Sequence, residues 1–249
     1  MAFNGDINVG QMKLMPSSAG NLSLLAAGNI IADQITMSDA DASVIPTVAS
    51  PITSAINLSG ILTSNHSLIP LHRNSTTPIS IVAREGSISP WIGTTTVLNL
   101  PKAAVIIAKQ DIRNLEANLQ HLSPGDLSVV KAGRDLTYVN VNQAGGINIS
   151  GPGNLLVEAG RTLDLGRSNG INSLANTTNP ALPETGASVM VLAGTGRNAS
   201  LQDYINLYIN RMAAAPVCCR AMRMVWLLIA AILRWHWPNT CARLLAIRV

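Results

Sequence analysis

One phrase returns six times along this chain, and an internal repeat restricts the possible folds more tightly than any other feature it has. The phrase is an apolar cluster, a small residue, a Gly or charged pair, and then Asp, Asn or Ser before an aliphatic. Its copies are LSLLAAGNI (Leu22 to Ile30), ISIVAREGSI (Ile79 to Ile88), AVIIAKQDI (Ala104 to Ile112), LSVVKAGRDL (Leu127 to Leu136), LLVEAGRTL (Leu155 to Leu163) and SVMVLAGTG (Ser188 to Gly196). GDIN at Gly5 to Asn8 reads as the tail of a seventh. With Ala27, Arg84, Ala108, Ala132, Ala159 and Ala193 as equivalent points, the spacings are 57, 24, 24, 27 and 34 residues. The unit is therefore about 24 residues, and the longest gap hides a degenerate or interrupted unit.

Within a unit the apolar positions alternate, as at Leu127 and Val129, and then turn through a Gly-containing corner into Leu136. Alternation of this kind is strand patterning, here with strands of 3 to 5 residues. Composition agrees: 47% of residues are hydrophobic but only 3% aromatic, so aliphatic side chains must fill the interior. Val, Ile, Leu and Ala among Gly, Asn, Ser and Thr suit short strands joined by tight turns. The expected fold is all-β, a parallel β-helix of roughly 24-residue coils over residues 1–198, with Val129, Val157 and Val191 inward in register. A single such coil buries too little to offset its own ordering entropy, so it must stack on its neighbours. Residues 38–78 interrupt the rhythm with Pro46, Pro51, Pro70 and Pro78 and read as an irregular, loop-rich coil projecting from the rod.

The net charge of +4 is a property of the tail. Residues 211–249 hold six Arg and no acid, so residues 1–210 carry 11 basic against 13 acidic groups, a balance of −2. No basic stripe interleaved with aromatics exists to hold nucleic acid. Cys218, Cys219 and Cys241 also lie in the tail, with Trp226, Trp235 and Trp237, so the body has no disulfide framework. The tail is expected to be poorly ordered or to form a short helix around Met222 to Leu233, and a frameshift is the simplest source of its composition. Its apolar run VWLLIAAIL is short of the ~20 residues that span a bilayer. The opening MAFNGDINVG has no basic n-region or apolar h-region, which places any export signal upstream.

Asp111, Asp135 and Asp164 recur near equivalent positions, and a column of carboxylates on such a scaffold can hold Ca²⁺ or do acid and base work. Asn29 and Ser87 stand in for Asp in sister copies, however, which is what a short side chain bonding the turn backbone requires. His66, His72, His121 and His236 show no second ligand at metal spacing, so no metal or cofactor is expected. Leu182 to Gly186 spells LPETG, a sorting pentapeptide, but another repeat follows where an apolar anchor belongs. The sequons at Asn65, Asn74 and Asn176 are expected by chance in an Asn- and Ser-rich chain.

HLSPGDLSVVKAGRDLTY (His121 to Tyr138) and the stretch from Gly151 to Gly196 closely resemble the filamentous haemagglutinin family of large exoproteins. The resemblance covers about residues 5–210, is carried by long phrases in its second half, and stops at Arg211 after YINLYIN (Tyr204 to Asn210). It implies a right-handed coil, passage through an outer-membrane two-partner secretion transporter, and a place on the surface of a Gram-negative cell or beyond it. The family's secretion domain is not in this chain. The function expected is a structural stalk fragment of a secreted adhesin that meets a host or neighbouring-cell ligand, and not an enzyme. The alternatives are the stalk of a contact-dependent growth inhibition exoprotein and a carbohydrate-active β-helix enzyme. The enzyme would gather at least two carboxylates and a base in one groove.

Overall fold

The computed structural model describes residues 1–40, 69–91, 95–139, 144–176 and 180–196, all within one compact unit, Met1–Asn198. Expectations for Asn65, His66, His236, the segment 199–210 and the tail 211–249 lie outside the described residues, as do those for Pro46 and Pro51.

The described chain is all strand and turn. Its strands are β1 (Ile7–Leu14), β2 (Ser23–Ala26), β3 (Ile30–Met37), β4 (Ile79–Ala83), β5 (Ile88–Ser89), β6 (Thr96–Leu100), β7 (Ala104–Ala108), β8 (Ile112–Arg113), β9 (Leu115–Gln120), β10 (Leu127–Ala132), β11 (Leu136–Thr137), β12 (Gly146–Ser150), β13 (Asn154–Ala159), β14 (Leu163–Asp164), β15 (Ile171–Leu174) and β16 (Ser188–Ala193). They run from 2 to 8 residues, a wider range than the alternation alone indicates.

Pairing is parallel in both sheets. A six-stranded sheet has the order β16-β13-β10-β7-β4-β2. The other sheet has ten strands and two arms, β5-β8-β11-β14 and β6-β9-β12-β15, which meet on β3. The long β3 pairs through Ile30 with β5 and through Gln34 to Thr36 with β6. From β4 onward the chain visits the six-stranded sheet, the first arm and the second arm in that order, and repeats the pass. Between β8 and β9 the corner is the single residue Asn114, at φ 49°, whose amide bonds both N–H and C=O of Val139 on the next pass.

Register aligns equivalent residues into columns. Ala26, Ala83, Ala108, Ala132, Ala159 and Ala193 form one; Leu24, Ile81, Ile106, Val130, Val157 and Val191 form another. Ile7, Ile30, Ile88, Ile112, Leu136 and Leu163 form a third, so GDIN is indeed the tail of a unit. Apart from Val191 and Ala193, these residues make one apolar core fed by both sheets, with Ile7 and Leu163 packed against it partly buried. Val191 is 44% exposed because β16 has a described neighbour on one side only.

Three expectations change. Val129 is not in the core column. It pairs with Leu156, and the inward residue beside it is Val130, fully buried and in register with Val157. Side chains alternate in a strand, so Ala132, which faces the crowded corner, fixes the phase and carries Val130 and Ser128 inward with it. The alignment points Ala27 and Arg84 likewise move by one residue, to Ala26 and Ala83. Of the degenerate and interrupted units that the 57-residue gap allows, the interrupted one stands, since β2 pairs directly with β4 and the excess is one excursion between β3 and β4. The described ends of that excursion, 38–40 and 69–78, contain no strand.

The corner after the alanine column explains the recurrent Gly. A Cβ on Gly160 would sit 2.1 Å from the Gly133 carbonyl oxygen, and one on Gly133 would sit 2.1 Å from that of Lys109. At these two corners successive passes touch backbone to backbone and only glycine fits, whereas Ala27, Arg84 and Lys109 follow the alanine column on the earlier passes.

Candidate functional site

The polar residue just before the aliphatic column is the repeat's most conspicuous chemistry. Asp6, Asn29, Ser87, Asp111, Asp135 and Thr162 each precede a member of the column Ile7 to Leu163. Each of the first five accepts a hydrogen bond from the backbone N–H of the next. Asn29 N donates to Asp6 Oδ1 at 2.6 Å, Ser87 N to Asn29 Oδ1 at 2.9 Å, and Asp111 N to Ser87 Oγ at 3.2 Å. Asp135 N then donates to Asp111 Oδ1 at 3.4 Å, and Thr162 N to Asp135 Oδ1 at 3.2 Å. A short oxygen-bearing side chain is therefore needed to bond the next pass, not its own turn. Asp164 stands outside this column. It pairs with Thr137 two positions further on, and its Oδ1 accepts from Gly166 N.

Arginine completes the arrangement one pass onward. Arg134 grips Asp111 with Nε to Oδ1 at 2.9 Å and Nη2 to Oδ2 at 2.7 Å, and Arg161 grips Asp135 in the same way. Arg113 adds a bond to Asp111 Oδ2 at 2.8 Å. The Arg134 guanidinium holds the Asp111 carboxyl below the usual carboxylate range, against the opposing effect of burial, and Arg161 does so for Asp135. A carboxylate so held is a weak base and gives up no proton near neutrality, so this column joins passes and is poorly suited to proton transfer. Among the described residues no three of His, Cys, Asp and Glu are grouped to hold a metal ion.

A second polar group was hidden by the wrong phase for Val129. Ser128 faces inward, wholly buried, in register with Leu155. Its Oγ lies 2.7 Å from His121 Nε2 and accepts the Ala104 N–H at 3.1 Å. His121 Nδ1 lies 2.7 Å from the Pro152 carbonyl oxygen, which can only accept, so Nδ1 carries the proton and Nε2 accepts from the hydroxyl. Burial lowers the imidazole pKa and keeps it neutral. The distance is that of a nucleophile and its base, but both side chains are fully buried, so the pair satisfies core polar atoms.

The root of the excursion is chemically different. Asp39, just before it, and Leu71 and His72, just after it, are clipped together. Asp39 Oδ1 accepts the Leu71 N–H at 3.0 Å and lies 3.3 Å from His72 Nδ1. Both side chains are buried, and His72 Nε2 has no partner among the described residues. Beside this clip runs a groove of about 320 Å³ between the returning limb, from Arg73 to Pro78, and the turns at Lys102 and at Leu122 to Asp126. Lys102 lines it, 3% exposed, with Nζ donating to Ser75 Oγ at 2.8 Å, and burial pulls its pKa down. Asn74 also lines the groove.

On the outward face of the second arm a ladder of amides escaped the sequence reading. Asn118 Nδ2 donates to Asn99 Oδ1 at 2.8 Å, Asn148 Nδ2 to Asn118 Oδ1 at 2.7 Å, and Asn172 Nδ2 to Asn148 Oδ1 at 2.9 Å. The signal was Asn directly after an apolar residue once per pass, as in LNL, ANL, INI and INS. LPETG lies in the exposed connection between β15 and β16, and Asn176 Oδ1 accepts from Gln120 Nε2 at 3.4 Å. Compared with family models, curated proteins and solved structures, the chain matches none of them.

Proposed function

We propose that this chain is a structural stalk fragment of a large secreted exoprotein of the filamentous haemagglutinin type, built as a right-handed parallel β-helix of roughly 24-residue coils. One observation carries the reading. The polar chemistry that repeats, from Asp6 to Thr162, is spent on the backbone of the next pass and on arginines that return the grip. Side chains used to join like to like build a rod whose length is set by the number of repeats. The phrases from His121 to Tyr138 and from Gly151 to Gly196 that resemble that family supply the class of protein. Passage through a two-partner secretion transporter and a role at the cell surface follow from the same resemblance.

Small-angle scattering on the isolated chain is expected to give an elongated particle. Beads coated with it should adhere to cells in a manner that the soluble chain competes away. A compact scattering profile would remove the rod, and hydrolysis of a polysaccharide by the purified chain would favour the β-helix enzyme instead.

A further inference from the structure

The groove at the root of the excursion contains a buried charge that the joining chemistry does not explain. An ammonium group has three N–H donors and in a protein interior is normally met by a carboxylate. Lys102 is almost wholly buried, and among the described residues its Nζ donates to Ser75 Oγ at 2.8 Å. Arg73 lines the same groove, so the lining carries two cations against the single carboxylate of Asp126. The Oδ2 of that carboxylate accepts the N–H groups of Leu122 at 2.8 Å and Ser123 at 3.0 Å, and among the described residues no ion pair joins it to Lys102 or Arg73. Thr76 and Ser123 add hydroxyl groups to the wall. A cavity with surplus positive charge, unfilled donors and hydroxyls that can turn either way is complementary to a compact anion.

We propose that this groove binds an oxyanion, a sulfate, phosphate or carboxylate group, seated on the Lys102 ammonium and the hydroxyls beside it. The ion would complete the buried ammonium's hydrogen bonding and brace the limb that returns from the excursion, so the region most different from the repeats would hold the ligand. This assignment stands whether or not the chain belongs to a stalk, since it rests on the groove alone.

The test uses the whole chain, titrated with inorganic phosphate at constant ionic strength against chloride. Saturable amide shifts are expected at Ser75, Thr76, Ala103 and Ser123, with a rise in melting temperature that chloride does not reproduce. Lys102→Met should weaken phosphate binding at least tenfold. Glycerol 1-phosphate run in parallel identifies the source: tighter binding of the ester points to a phosphorylated organic ligand, and equal binding to the free ion. Non-saturating shifts, or shifts elsewhere, overturn the proposal, as does unchanged affinity in Lys102→Met. Should that variant fail to fold, Ser75→Ala serves in its place, because loss of the ammonium's tether should change phosphate affinity several-fold. Unchanged affinity there would equally count against the site.

Discussion

Between Lys109 and Leu163 polar side chains reach one pass onward, whereas at the root of the excursion they reach across a single local clip. In the repeating region Asp111, Asp135, Asn118 and Asn148 each meet an equivalent or complementary residue, because parallel register sets like beside like at about 4.8 Å. Repetition thus solves the pairing of polar groups once and copies the answer. The root has no such copy. Among the described residues, Asp39 and His72 are buried there as a pair with one imidazole nitrogen unmatched, and the Lys102 ammonium meets only the Ser75 hydroxyl. Unmet bonding capacity in a folded protein concentrates where a ligand or a partner completes it, so the irregular region is the better place to look for binding.

The largest effect that could break this comparison lies in the core of the repeats. Val130→Asp should destabilise the chain by about 4 kcal/mol, since a carboxylate would enter an aliphatic column with no partner. Val129→Asp should lose about 1 kcal/mol or less, because that side chain is only half-buried and keeps access to water. Denaturant midpoints of the two variants decide the phase, and equal losses would show that β10 is out of register. Gly160→Ala comes next at about 2 kcal/mol, the order expected of overpacking, as its Cβ would be forced against the Gly133 carbonyl. A wild-type midpoint for that variant would mean that the passes separate easily at this corner.

Much of the fold was legible because period and phase are written in aliphatics. What failed did so for definable reasons. Leu127 and Val129 are as apolar as any core pair, but the phase of a strand is fixed by its most constrained member, and that is the small Ala132 at the corner. Asp164 resembles Asp135 in type and lies two positions off in register, a difference that only pairing reveals. Ser128 with His121 is seven residues apart across a turn, so no periodicity connects them. A spacing counts residues and cannot tell a degenerate unit from an interrupted one, and the pairing of β2 with β4 is what separates them.

Acid should act on the repeats in two separate steps. Burial lowers the pKa of His121 from 6.5, so between the lowered value and 6.5 the folded chain binds fewer protons than the unfolded chain. Stability therefore rises with pH through that window and is complete above 6.5. Asp111 and Asp135 are held below 3.8 by their arginines, so their contribution is present above 3.8 and disappears as pH falls through the folded values. Denaturant midpoints followed from neutral to strongly acid solution should show both losses. The double variant His121→Leu with Ser128→Ala should abolish the first and keep the second, and a single smooth decline in both proteins would refute the assignment.

The smallest effect belongs to the amide ladder, and its size sharpens the comparison. Asn118 donates to Asn99, accepts from Asn148 and also lies 3.3 Å from Glu116 Oε1, so Asn118→Ala removes both links at once. These amides are on the outward face, where water replaces part of what is lost, so the penalty should be about 0.5 to 1 kcal/mol. A hydrogen-bonded ladder of like residues ought to be cooperative, however, since each amide polarises the next. Pairing Asn118→Ala with Asn148→Ala in a double-mutant cycle should give a combined loss smaller than the sum, because the second substitution removes a bond already broken by the first. Strict additivity would mean that the ladder is a row of independent surface contacts, and the repeats would then owe their cohesion to the aliphatic columns and the Asp–Arg grip alone.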